Sequence, residues 1–168
     1  MKKPEIIIVD DHRVFRQGLK SIITMENMAT IIGEASTGVE FIDLLSCLKP
    51  DLVLMDLDMP DMNGLDATRK ALEIMPDIKI IIFTMFADDE YFLKMIEIGA
   101  KGYILKSSDI SELENAMHFI MKGEKYFSNH QPKKNGTSLA AKAAKRLSEN
   151  QPTNHKYKNP GDVFPPWF

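Results

Sequence analysis

Cysteine is nearly absent from this chain, and long apolar runs are absent altogether. A lone cysteine, Cys47, excludes an internal disulfide framework and fits a reducing compartment, with packing as its expected role. No stretch approaches the roughly 20 consecutive apolar residues that a membrane helix needs. The first apolar run, Ile6-Ile7-Ile8-Val9, ends at two aspartates and is too short for a secretory signal. A soluble, cytoplasmic protein without membrane contact is therefore expected, and Asn135-Gly136-Thr137 carries no weight as a glycosylation acceptor. The histidines, His12, His118, His130 and His155, stand at no spacing that suggests a metal centre. His12 reads as a surface neighbour of an acidic pair.

Positive charge is scarce in most of the chain. The formal net charge of −3 conceals 14 basic and 22 acidic side chains in residues 1–127, against 7 and 2 in residues 128–168. The body is thus −8 and the tail +5, so the body does not attract nucleic acid by its net field. A hydrophobic content of 44% over 168 residues is enough for one sizeable core. The expected organisation is a domain at 1–127 and a basic linker or tail at 128–168. Within the tail, Ser138 to Ser148 is the stretch with a helical pattern, Leu139, Ala143 and Leu147 opposing Lys142, Lys145 and Arg146. Gln151 to Phe168, with four prolines, is expected to lack a core.

Short aliphatic runs alternate with amphipathic segments along the body. Ile6 to Val9, Thr30 to Gly33, Leu52 to Met55, Ile78 to Phe83 and Tyr103 to Leu105 are mostly continuous, as strands covered on both faces should be. Between and after them lie helical spacings: Val14, Phe15, Leu19, Ile22, Ile23; Phe41, Leu44, Leu45, Leu48; Leu65, Thr68, Leu72, Met75; Phe92, Met95, Ile96, Gly99; and Leu113, Ala116, Met117, Ile120. Lys49-Pro50 and Met75-Pro76 stop helices, Thr37-Gly38 and Asn63-Gly64 open them, and Gly99 and Gly123 stand where helices end. The pattern reads as (βα)5, a doubly wound parallel sheet whose ligands bind at the carboxyl ends of the strands. That rule gathers Asp10, Asp11, Asp56, Thr84 and Lys106 at one sheet edge. Carboxylates and an amine placed so suit a divalent cation and a phosphoryl group.

Four strings then carry a resemblance: Val9-Asp10-Asp11-His12; Leu54 through Asp56-Leu57-Asp58-Met59-Pro60 to Gly64; Ile82-Phe83-Thr84; and Gly99-Ala100-Lys101-Gly102-Tyr103-Ile104-Leu105-Lys106. In their order and at those strand ends, they resemble the receiver domain of a bacterial two-component response regulator over residues 5 to about 127. The resemblance implies a flavodoxin-like sheet of strand order 2-1-3-4-5. It implies that Asp56 is the phosphoacceptor and that Mg²⁺ is held by Asp11 and Asp56 directly, by Asp10 through water and by the main-chain carbonyl of Asp58. Lys106 and Thr84 would contact the phosphoryl group, with Thr84 and Tyr103 as the switch pair. A sensor histidine kinase is the implied partner, with a homodimer forming on phosphorylation.

Leu105 to Leu113 followed by Gly123-Glu124-Lys125-Tyr126-Phe127 is similar to receivers of the NarL/FixJ type, which continue into a LuxR-type helix-turn-helix. No such output domain is recognisable in the tail, so DNA contact is expected only through a domain not seen here. The implied role is transcriptional control by phosphorelay; a stand-alone receiver acting by protein binding or as a phosphate sink is the alternative.

Plainer readings exist for each residue. Asp11 could cap the first helix, Asp56 could be a turn residue, Thr84 a β-branched strand residue, Lys106 a solvated charge and Tyr103 a partly buried aromatic. Their concurrence favours the shared site. Asp56-Leu57-Asp58 with Thr84 and Lys106 also resembles haloacid dehalogenase phosphatases, which place an acidic pair after the lysine; here Asp10-Asp11 comes first. Two positions depart from the receiver pattern. Asp58 puts an acid near the acceptor, and Phe86 is bulky at the rim, so both bear on phosphoryl lifetime.

Overall fold

The structure is a computed structural model that describes residues 3–85 and 89–128. Phe86, the helical pattern at Ser138 to Ser148 and the rest of the basic tail beyond Ser128 lie outside the described residues. Strands and helices alternate: β1 (Glu5–Val9), α1 (Arg13–Met25), β2 (Thr30–Ala35), α2 (Gly38–Leu44), β3 (Leu52–Met55), α3 (Gly64–Ile74), β4 (Lys79–Thr84), α4 (Asp89–Ile98), β5 (Gly102–Leu105), α5 (Ile110–Met121) and β6 (Tyr126–Phe127).

All strands pair in parallel in the order β2-β1-β3-β4-β5-β6. The first five follow the expected order, and β6 extends the sheet through Gly102↔Tyr126 and Tyr103↔Phe127. Two residues are too few to show a periodic pattern in sequence, which is why this edge strand was not anticipated.

Alternation along the buried strands divides the core in two. Ile7, Val9, Val53, Met55, Ile80 and Ile82 face a layer containing Phe41, Leu65, Ala71, Phe92 and Met95 from α2, α3 and α4. Ile6, Ile8, Leu52, Leu54, Ile81 and Phe83 face Leu19, Ile23, Leu113, Ala116 and Ile120 from α1 and α5. Both faces are covered, which explains why the strands read as unbroken aliphatic runs.

The helix punctuation follows local chemistry. Thr37 Oγ1 accepts from the Glu40 amide, whose carboxylate accepts in turn from the Ser36 amide and hydroxyl; Asn63 Oδ1 accepts from the Asp66 amide. Gly99 and Gly123 take φ of +106° and +89° just past α4 and α5, a conformation other L residues rarely adopt. One helix is shorter than its apolar spacing suggested. α2 ends at Leu44, and Ser46 and Cys47 amides bond back to the Asp43 and Leu44 carbonyls in a tightened turn. Leu48 nonetheless packs against the core.

Candidate functional site

The ladder aligns the carboxyl ends of the central strands. Asp56 N–H donates to the Val9 carbonyl at 2.8 Å, Asp10 N–H to Ala35 at 3.0 Å and Lys106 N–H to Thr84 at 2.8 Å. Residues separated by up to 96 positions thereby become neighbours just beyond β1, β3, β4 and β5. The parallel register does this without long excursions, because each crossover helix returns the chain to the same edge.

At that edge the Lys106 ammonium lies 2.6 Å from Asp10 Oδ2 and 2.7 Å from Asp56 Oδ2, and all three side chains are no more than 3% exposed. Asp10 Oδ1 accepts from the His12 amide at 2.8 Å, and Asp56 Oδ1 accepts from the Leu57 amide at 2.8 Å. Asp11 is more open, and His12 Nδ1 stands 2.9 Å from its Oδ1. The plain alternative for Asp11 does not hold: α1 takes His12 as its N-cap, with no side-chain cap bond. His12 is exposed, as expected, yet its ring belongs to the same cluster as the three aspartates, where sequence spacing gave no sign of a ligand.

One ammonium does not neutralise this pocket. Burial pushes the Asp56 carboxyl above the ordinary carboxylate range, and the Asp10 charge adds to that rise; the Lys106 hydrogen bond and charge oppose it, with a smaller contribution from the Leu57 amide. Three carboxylates against one lysine leave a local formal charge of −2, the charge that a divalent cation would offset. The donor chemistry fits such an ion. Asp10, Asp11 and Asp56 each present an oxygen within 4.8 Å of the others, and octahedral Mg²⁺ with bonds of about 2.0–2.1 Å spans oxygens roughly 3 to 4 Å apart. A small inward adjustment would suffice.

Thr84 is buried at the end of β4, in register with Leu105. Tyr103 is 1% exposed, its ring edge-on to Phe92 at 5.4 Å, so it lies inside the α4 side of the core. Asp58 is exposed two residues past Asp56.

Four residues have supporting roles that the sequence does not signal. Arg16 donates from its guanidinium to the Asp10 carbonyl and, at 3.2 Å, to Glu34. Lys20 also pairs with Glu34 and is the main cause of its lowered carboxyl pKa, while burial works against it. Gly64 seats the start of α3 on the acceptor: an added Cβ would lie 2.0 Å from the Asp56 carbonyl oxygen. Phe15 lies under the Lys106 ammonium, with its ring centroid 4.6 Å from Nζ. Asn63-Gly64 was legible as a helix start, but nothing local signals what that helix abuts.

Comparison with known proteins agrees with this geometry. The family described as response regulator receiver domain matches residues 6–118. The transcriptional regulatory protein DegU of Brevibacillus brevis is 35% identical over 74% of this chain and 52% of its own length. The oxygen regulatory protein NreC of Staphylococcus aureus is 42% identical over 73% of this chain and 57% of its own. The chain therefore spans about half the length of the curated relatives it matches. Among solved structures, a LuxR-family two-component response regulator from Aurantimonas superposes with a TM-score of 0.72 at 31% identity, over 88% of this chain and 97% of that one. A LuxR-family DNA-binding response regulator from Staphylococcus aureus gives 0.67 at 27%, over 70% and 98%.

Proposed function

The chain belongs to the response regulator receiver domain family, and from that premise we propose that Asp56 accepts a phosphoryl group from a sensor histidine kinase and thereby switches a protein-interaction surface. The observation that carries this reading is the Lys106 ammonium held between Asp10 and Asp56, with the Asp11 carboxylate in the same cluster. Receivers are phosphoacceptors rather than classical enzymes. The chemistry proposed for this chain is self-catalysed phosphotransfer followed by slow autodephosphorylation.

Asp11 and Asp56 would hold Mg²⁺ directly, Asp10 through water, and Asp58 through its main-chain carbonyl. The ion would supply charge neutralisation for the carboxylates and the incoming phosphoryl oxygens. Asp56 provides the nucleophilic oxygen: its bond to phosphorus forms as the bond from phosphorus to the kinase imidazole breaks, and the imidazole departs with that electron pair. The Leu57 amide holds one Asp56 oxygen in place, leaving Lys106 at the other. Once Asp56 is an acyl phosphate, Lys106 is the nearest cation for a phosphoryl oxygen, and the Thr84 hydroxyl donates to another.

Drawing Thr84 and Lys106 inward moves the ends of β4 and β5. Tyr103 on β5 packs against Phe92 of α4, so it is the side chain placed to transmit that movement to the α4–β5–α5 face. Such coupling is a shift between two packed arrangements, limited by the difference in phosphoryl affinity between them. Residues 1–127 are proposed as the receiver unit and the basic tail as its linker. The relatives' names point to transcription as the output of the whole protein, with pairing of two phosphorylated copies as the proposed intermediate.

Mass spectrometry after incubation with acetyl phosphate and Mg²⁺ tests the shared chemistry. One acid-stable, base-labile phosphoryl group should appear on the chain and vanish in Asp56→Ala. A label that persists in Asp56→Ala would assign the acceptor elsewhere, and an unlabelled wild-type chain would end the proposal.

A further inference from the structure

Lys106 has three N–H donors and a side chain only 2% exposed. Two of those donors meet carboxylate oxygens, Asp10 Oδ2 at 2.6 Å and Asp56 Oδ2 at 2.7 Å. On another side the ammonium sits over the Phe15 ring, 4.6 Å from its centroid. The negative face of an aromatic ring attracts a cation, and the attraction is greatest where water is excluded. Phe15 belongs to the first turn of α1 and is half-buried. Its ring rests in turn against Phe83, with centroids 5.7 Å apart and planes tilted by 47°. Phe83 directly precedes Thr84 on β4, so the ring is backed by the strand that carries the other phosphoryl contact.

We propose that Phe15 is a positioning residue for Lys106, its ring face holding the ammonium in the pocket while the ammonium exchanges carboxylate oxygens for phosphoryl oxygens. The inference rests on the reading of Asp56 as phosphoacceptor. During phosphorylation both carboxylate partners of Lys106 are redeployed: Asp56 becomes an acyl phosphate, and Asp10 would turn toward Mg²⁺ through water. A charged residue at position 15 would compete for the ammonium or for the phosphoryl group. An aliphatic residue would leave that side of a desolvated cation with no electrostatic partner. An aromatic face does neither, because it attracts without a directed hydrogen bond and lets Nζ swing toward phosphorus.

The test uses the full chain with Phe15 replaced by mono-, di- and trifluorinated phenylalanines, which retain the ring's shape while draining negative charge from its face. Phe15→Leu serves as the aliphatic variant. The readouts are the initial rate of Asp56 phosphorylation from acetyl phosphate with Mg²⁺ and the dissociation constant for beryllofluoride, a phosphoryl mimic. Thermal melts check the fold. Rate and affinity should both worsen stepwise with each fluorine, reaching about tenfold in the trifluorinated protein, with a single cooperative melt retained across the fluorinated series. Phe15→Leu should fall at or below the trifluorinated protein. Equal rates and affinities across the fluorinated series would overturn the inference even if Phe15→Leu is slow, since bulk alone would then explain the loss. An unlabelled wild-type chain would instead overturn the phosphoacceptor reading, and the inference with it.

Discussion

Gly64→Ala adds one methyl group where the fold has no room for it. An ideal Cβ there would lie 2.0 Å from the Asp56 carbonyl oxygen and 2.9 Å from both the Asp56 carbonyl carbon and Leu57 Cα. These are main-chain atoms, so no rotamer change relieves the clash, and α3 must part from the end of β3 by about 1 Å. That movement strains or breaks the 3.0 Å bond from the Gly64 amide to the Leu57 carbonyl. Overpacking costs about 1–3 kcal/mol and the lost hydrogen bond about 1, while replacing glycine in a helix regains up to about 1. A net loss of about 1–3 kcal/mol follows, visible as a fall of roughly 4–12 °C in melting temperature for a domain of this size. The chemistry should suffer further, because a misplacement of about 1 Å at a reacting group can cost about 100-fold in rate. Circular dichroism melts and the rate of phosphorylation from acetyl phosphate measure the two effects. Wild-type values in both would refute the claim that the start of α3 is seated on the acceptor's backbone.

Two further outcomes concern charge. The raised Asp56 carboxyl means that the folded state binds its proton more tightly than the unfolded state, so this group withdraws stability as pH rises from the ordinary carboxylate range through its raised value. In metal-free buffer Asp56→Asn should therefore melt higher than wild type at neutral pH, with the gap narrowing as pH falls toward about 4; a gap of constant size, or one of opposite sign, would contradict the assignment. Asp58 is exposed two residues past the acceptor, and Asp58→Asn should change the autodephosphorylation rate by altering the charge beside the attacking water, with an unchanged decay curve counting against that role.

Much of the site could be read from the sequence because its chemistry sits where apolar runs end. Ile6 to Val9 and Leu52 to Met55 are covered on both faces, and Asp10 and Asp56 are the first polar residues after them. A parallel sheet then leaves little freedom, since every strand must end on the same side. Lys106 was legible on the same ground, as the residue following β5. β6 is not, because two residues have no period, and α2 ends earlier than the apolar spacing suggests because Leu45 is buried and Leu48 partly buried although both lie past its last helical residue.

The alternation of five strands with five helices, and the ionisable groups that share their edge, are thus legible without the structure. Continuous apolar strands and helical spacings are local properties that each segment expresses before it meets another. Packing alone sets how those groups are supported: the Phe15 ring beneath Lys106, Arg16 bound to the Asp10 carbonyl, and the close seating of Gly64 on the Asp56 carbonyl. Each of these depends on the distance between two elements once packed, a quantity that close packing of the interior sets and that no single segment encodes.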